Sequence, residues 1–456
     1  MQWLQQNKPK SRNASGSLLA LTALLVAASG DAQLVESPNP PAAAANESID
    51  DDEGGSALDA LRRGRDTLMR IRDFQAALNP AQAAVAAQEQ QRDAAYALDL
   101  AALAMIQAEL NDVDAAEAKF LEAIDLIVAA EGEYSVALID IYRGLGRAYI
   151  RGSRYPEAIT TLESAQHISQ RNLGLFNVEQ APLLDDITTA YLGLGDTTEA
   201  RRLQLERLDN AVRRFGADDA RVIPYRYTLA NYYERSRLPM SAREQYEEVL
   251  KSQEATLGSG AAALLAPLRQ LVRIDLLVAQ GEMPERRDRL LALLEQNPDA
   301  DPLERGLSQA LLGDWATVTG DPVAARSYYQ QAWNTLRLRP DIDVSEYFSK
   351  PTMLDFIAPL SAVDRGDKRD PYAWGQVVLD FDVSAEGLPT DVRIITGGVP
   401  PGPLETRYAR RLRETHFRPR LVAGEPVTTT NVRSTHYFRY YVDEDAKKEK
   451  DADESG

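Results

Sequence analysis

A 42-residue period constrains this chain more than any other feature. Leu103, Leu145, Ile187, Leu229 and Leu271 stand 42 residues apart, as do Ala116, Ala158, Ala200 and Ala242, and Tyr149, Tyr191 and Tyr233. Leu312 and Ala325 continue the first two columns with one residue lost. A period of that length fits one helical hairpin per repeat. Between Ala57 and Leu338 apolar residues recur at three and four, and Gly, Pro, Asp and Asn punctuate them roughly every twenty residues. No stretch there alternates as a strand does. A small residue near the start of each second helix lets two helices approach closely, and a large residue opposite fills the groove. One hairpin buries only part of its apolar face, so neighbours must stack.

The turns add detail. In Leu145 to Ile168 and Tyr191 to Leu208 a helix runs into Gly, a short polar turn follows, and Glu-Ala opens the next helix. These segments resemble tetratricopeptide (TPR) repeats of the longer-helix kind found in kinesin light chain. Gly152 to Ala158 carries the Gly-x-Tyr-x-Glu-Ala-like turn, and Gly195 to Ala200 carries it without the Tyr. The resemblance spans Leu98 to Arg337, is best in three central repeats, and decays at Met283-Pro284, where the small-residue column is broken. It implies an all-α TPR-like solenoid over residues 57–338, of about six hairpins with 57–93 as an atypical cap. An unrelated α-hairpin array would produce the same columns.

The first thirty residues read as a targeting segment. Lys8, Lys10 and Arg12 precede an eleven-residue apolar stretch, Leu18 to Ala28, with small residues near Gly30 and Ala32. That is the signal-peptide pattern, and the stretch is shorter than the ~20 apolar residues of a membrane span. Residues 1–30 are therefore expected to be a cleaved signal peptide, which places the mature chain in the periplasm. The alternative is an inner-membrane anchor with periplasmic domains. Residues 31–56, rich in Pro, Ala, Asp and Glu, offer little to bury and read as a disordered linker. Residues 339–371 read as a connector, whose apolar part, Met353 to Leu360, is expected to pack on the last repeat.

After the connector the period switches to two. Val377, Leu379, Phe381 and Val383 alternate with polar or smaller neighbours, which predicts a strand with one buried face. Ala385-Glu386-Gly387 turns the chain, and Asp391 to Thr396 returns it, with Val392 and Ile394 as its apolar face. Leu404 to Thr415 reads as a helix with Leu404, Tyr408 and Leu412 on one stripe. Val422 to Pro426 is a turn, and Val432 to Val442 a closing aromatic-rich strand. The predicted order is β-β-α-β.

Gly375-x-Val377, Phe381-x-Val383, Gly387, Asp391-Val392, a helix, Phe417-x-Pro419, Gly424-x-Pro426 and the aromatic strand together resemble the C-terminal domain of the TonB energy transducer. The resemblance covers residues 372–442 and implies a small α+β domain. Two departures stand out. Pro371-Tyr372 reverses the Tyr-Pro pair usual ahead of the first strand. A solenoid stands where TonB has an anchor and a long Pro-rich spacer. In the family the last strand lies at the sheet edge and pairs with a segment of an outer-membrane receptor. Carried over by position, the partner-binding strand is Asn431 to Tyr441. Arg433, Thr435, Tyr437 and Arg439 would supply specificity, and main-chain pairing the affinity. An edge covered within the chain, or merely solvated, is the competing expectation. Arg407, Arg410, Arg411 and Arg413, with Arg418 and Arg420, form a basic cluster. It reads either as a patch that steers an acidic partner or as a solvated helix face suited to the helix dipole. Residues 443–456 read as a charged disordered tail.

Composition excludes several functions. There is no cysteine, so disulfides and thiolate chemistry are absent. The formal charge is −18, which makes nucleic acid a poor partner. His167, His416 and His436 sit at no metal-ligand spacing. No Gly-x-Ser-x-Gly or phosphate-binding loop occurs. The chain is thus read as non-enzymatic, with no catalytic residues, cofactor, metal or small-molecule substrate. Its expected function is a protein–protein interaction adaptor whose partners include a TonB-dependent outer-membrane receptor. The alternatives are an anchored TonB-type energy transducer, or a structural scaffold whose terminal domain caps the solenoid.

Overall fold

The computed structural model describes residues 57–279, 284–359, 372–396 and 402–441. The targeting segment, the 31–56 linker, Met283, residues 360–371 and the 443–456 tail lie outside the described residues. The chain divides into two compact bodies, one running to Ser259 and one from Gly260.

The first body is built of helix pairs: α1 (Ala57–Arg70) with α2 (Phe74–Ala86), α3 (Ala94–Glu109) with α4 (Val113–Glu131), and α5 (Ala137–Arg151) with α6 (Tyr155–Leu173). Two more follow, α7 (Ala181–Leu194) with α8 (Thr197–Phe215), and α9 (Ile223–Arg235) with α10 (Pro239–Leu257). The columns of the sequence are its core. Leu103, Leu145, Ile187 and Leu229 are buried, and Ala116, Ala158, Ala200 and Ala242 are 0 % exposed, which leaves no room for a larger side chain. Of the tyrosines, Tyr149 and Tyr233 are buried and Tyr191 is half-buried. The Tyr149 hydroxyl donates to Glu117 at 2.8 Å, which ties one hairpin to the one before it.

A further column sets where each second helix stops. Gly132, Gly174, Gly216 and Gly258 take φ of +93°, +95°, +95° and +87°. With ψ near +150° to +170° this is backbone that L side chains avoid. Asp73, Asp93, Asp112 and Asp196 begin helices by accepting from backbone N–H groups of the first turn.

The second body opens with two more helix pairs: α11 (Leu265–Ala279) with α12 (Glu285–Gln296), and α13 (Pro302–Val318) with α14 (Pro322–Leu336). Leu271, Leu312 and Ala325 are buried here, continuing the columns. A short helix, α15 (Val344–Tyr347), follows, and its Val344 and the adjacent Phe348 join the core of α13 and α14.

The strands come next: β1 (Thr352–Met353), β2 (Tyr372–Val383) and β3 (Pro389–Thr396), then helix α16 (Gly402–Arg413). After it stand β4 (Phe417–Arg418), β5 (Arg420–Val422), β6 (Glu425–Val427) and β7 (Thr429–Tyr441). β2 lies between β3 and β7 in an antiparallel three-stranded sheet. Val377, Leu379, Phe381 and Val383 point to one face, all at most 1 % exposed, and meet Leu404, Tyr408 and Leu412 of α16. Ala423 and Gly424, both at positive φ, make the two-residue turn of the β5–β6 hairpin. The helix starts and ends two residues earlier than the 404–415 predicted. The last strand begins at Thr429 rather than Val432, because Asn431, at φ +57°, keeps the chain paired across a bulge. Ile394 is 41 % exposed, so of the two apolar residues expected on the returning strand only Val392 packs on the core.

The connector behaves differently from expectation. Met353, Phe356 and Ala358 pack against the core of the strand-containing region, not on the last repeat. Val344 and Phe348, earlier in the connector, pack on the last repeat instead. The physical cause is β1, whose pairing with β4 commits the chain to the sheet side from Thr352 onward.

Candidate functional site

The site begins with the pairing of β7. Among the described residues β7 is hydrogen-bonded to β2 alone, in a register running from Phe381 opposite Val432 to Tyr372 opposite Tyr441. Its other edge presents backbone N–H and C=O groups that a strand could satisfy. Alternation divides its side chains. Val432, Phe438 and Tyr440 pack on the core side, and His436 stacks on Phe356 at 4.7 Å and lies 5.3 Å from the Tyr408 ring. Asn431, Arg433 and Tyr437 are exposed on the opposite side, and Thr435 is half-buried. Arg439 and Tyr441 continue that register opposite Trp374 and Tyr372. Asn431, Arg433, Thr435 and Tyr437 therefore fall on one face of the sheet.

Arg433 is already engaged. Its guanidinium donates to both oxygens of Asp380 at 2.7 and 2.8 Å, and this bond holds the Asp380 carboxyl below the usual range. The backbone N–H of Asn431 donates to Asp382 at 2.9 Å, which pins the bulge. Tyr437 and Trp374, 43 % and 48 % exposed, supply aromatic surface on the same face.

The basic cluster is divided by the fold. Arg407, Arg410 and Arg411 line an open cavity of about 330 Å³ with Ile357, Ala358, Pro359 and Glu414. Arg413 turns away and donates to the Val392 carbonyl at 3.1 Å. Arg418 does not belong to a surface patch at all. It is 4 % exposed and donates to both oxygens of Asp314 on α13, at 2.9 and 2.6 Å.

That ion pair is the centre of a buried polar cluster. Tyr329 donates to Asp314 at 3.0 Å, its hydroxyl lies 2.9 Å from that of Thr317, and Arg418 donates to the Tyr347 hydroxyl at 3.2 Å. Burial, with the Asp314 carboxylate beside it, pushes the Tyr329 phenol well above its ordinary range. Close packing surrounds the cluster. A Cβ on Gly387, at φ +81°, would stand 2.1 Å from the Phe417 carbonyl and 2.8 Å from Thr317. Leu421 joins the hydrophobic core of α13 and α14, Gly424 abuts Trp333, and Glu425 pairs with Arg326 at 2.6 Å. The region after β1 is thus seated on the α13–α14 hairpin by apolar and ionic contacts together.

His416 closes the end of α16. Its backbone N–H donates to one oxygen of Asp355 at 2.7 Å, and its Nδ1 lies 2.8 Å from the other. The Asp355 hydrogen bond raises the His416 pKa against the opposing effect of burial. His167 lies on α6, with its ring 6.1 Å from Tyr134. Among the described residues no group of three or more His, Asp or Glu is placed to hold a metal ion. No helix among them is long and apolar enough to cross a membrane.

The residues that sequence reasoning missed are Asp314, Tyr329 and Asp355. Asp314 alone carried a signal, as a carboxylate inside the otherwise apolar run Ala310 to Ala316.

The geometry defines a class: a mostly helical TPR-like array followed by a small strand-containing region. No protein-family model matches the chain, and no curated protein matches it. Solved structures similar to it include TPR proteins. The C-terminal part of a TPR repeat-containing protein from Cytophaga hutchinsonii is 14 % identical, with 62 % of this chain and 96 % of that one covered, at a TM-score of 0.40. BtubC (BKLC) from P. vanneervenii is 18 % identical over 62 % of this chain and 93 % of its own, at 0.36. A thermophilic TPR protein of Thermus thermophilus is 20 % identical over 52 % and 100 %, at 0.31. Likenesses this low transfer no partner and no activity to this chain.

Proposed function

We propose that this chain is a non-enzymatic protein-interaction adaptor exported to the periplasm. Its helical repeats hold one protein. Its C-terminal region, TonB-like in the order of its elements, receives an extended segment of an outer-membrane transport receptor along β7. The observation that carries this reading is the one-sided pairing of β7, thirteen residues long, among the described residues. Strand addition would satisfy its outer N–H and C=O groups, and side chains of the Tyr437 face would select the sequence. The bulge at Asn431 limits indiscriminate pairing at one end, as edge bulges do.

The test uses the full chain and fluorescently labelled extended peptides from candidate receptors, read by anisotropy. Adjacent residues of an edge strand direct their N–H groups to opposite sides. Of Thr435→Pro and His436→Pro, one should unfold the sheet, and the other should keep the fold and lose the peptide. A folded proline variant that binds as well as the parent sinks the reading.

A second reading, a terminal cap on the helical repeats, is favoured by the Asp314–Arg418 pair, which anchors the region on α13. Limited proteolysis separates the two. Release of a folded fragment beginning near Tyr372, with the repeats unchanged in stability, excludes the cap.

A further inference from the structure

One face of α16 faces the segment Ile357 to Pro359 across the arginine-lined cavity. One wall is cationic, with Arg407, Arg410 and Arg411 against a single carboxylate. Arg411 reaches Glu414 at 3.4 Å, while Arg407 and Arg410 make no ion pair among the described residues. The other wall is apolar, and Ile357 is 53 % exposed there. Three guanidinium groups beside an exposed isoleucine suit an occupant that carries carboxylates next to an apolar residue.

The chain itself supplies such a segment nearby. Tyr408, the neighbour of Arg407, lies 5.3 Å from His436, ring to ring. The described chain ends five residues later, at Tyr441. Five strand residues rise about 16 Å. Fifteen residues follow Tyr441, opening Val442-Asp443-Glu444-Asp445, one apolar residue and then three carboxylates. Fifteen extended residues reach about 50 Å, so the return to α16 is well within their length.

We propose that the C-terminal tail folds back onto this groove and sets Asp443, Glu444 and Asp445 against Arg407, Arg410 and Arg411. The tail then screens the arginines in cis, and an acidic segment of another protein gains them only by displacing it. No residue of β7 takes part, so the inference stands or falls apart from strand addition.

The chain has no cysteine, so a single nitroxide at Ala446→Cys in the full chain labels the tail cleanly. The amide signals of Arg407 to Glu414 should broaden strongly. That broadening should vanish in R407E/R410E and near 1 M salt, where the screening length is about 3 Å. The broadening of residues 438–441, next to the label in sequence, should persist. A separate titration with an Asp-Glu octapeptide should show about threefold or more tighter binding once residues 443–456 are deleted, since an intramolecular competitor is removed. Broadening of α16 that is absent, or unchanged by charge reversal, overturns the proposal. So does an octapeptide affinity indifferent to the tail.

Discussion

Removing one partner of the Asp314–Arg418 pair should destabilise the second body by much more than removing both. The side chains are 3 % and 5 % exposed, and two hydrogen bonds of 2.6 and 2.9 Å join them. In Asp314→Leu the Arg418 guanidinium loses both of those bonds, inside a site closed by Phe348 and Leu421. Breaking a buried ion pair by removing one partner costs about 3–5 kcal/mol. For a body of 150–250 residues that lowers Tm by about 10 °C. Arg418→Met should cost a similar amount, because it breaks the same pair from the other side and leaves the Asp314 carboxylate buried. The double variant D314L/R418M removes both desolvation penalties and should recover most of the loss, leaving a coupling energy of about 2 kcal/mol or more. Urea unfolding followed by tryptophan fluorescence reads the right region, since Trp315, Trp333 and Trp374 all lie in it. Single variants costing under about 1 kcal/mol, or a double variant equal to the sum of the singles, would refute the placement of Arg418 against α13.

Other outcomes follow from the same contacts. Gly387→Ala should cost about 2 kcal/mol or more, because its Cβ meets the Phe417 carbonyl and its φ is positive, whereas exposed Leu388→Ala should cost under about 0.5 kcal/mol by urea titration. Ala200→Leu should destabilise the first body by about 1–3 kcal/mol in a circular-dichroism melt, since Ala200 is fully buried between two helices. His416 has its pKa raised in the fold, so its contribution is complete below the unfolded value of about 6.5 and fades as pH rises through the folded value. The stability gap between the parent and His416→Gln should therefore be wider near pH 6 than near pH 9, and a gap that widens toward pH 9 contradicts the Asp355 contact.

What was legible depended on repetition. Ala116, Ala158, Ala200 and Ala242 recur because the same close approach recurs in each hairpin, so their burial could be read from spacing alone. The glycines at 132, 174, 216 and 258 lie at the same period and were equally open to reading, since only glycine accepts their backbone. The alternation of Val377 to Val383 carried the sheet for the same reason. Contacts made once leave no such trace. Arg418 meets Asp314 across 104 residues, and in the sequence it sits in a run of arginines that looks like surface. Met353 lies in an aperiodic connector, and its allegiance to the sheet is decided by two residues of pairing with β4. On β7 the alternation was visible, whereas the capture of Arg433 by Asp380 required the register between β7 and β2.

The central claim is that β7 offers an open edge to a partner strand, and hydrogen exchange on the full chain tests it most directly. With a bound receptor peptide, amides of β7 that point away from β2 should gain protection at every second residue, while the first body exchanges as before. Protection that leaves β7 unchanged and appears only in the helical repeats would contradict it.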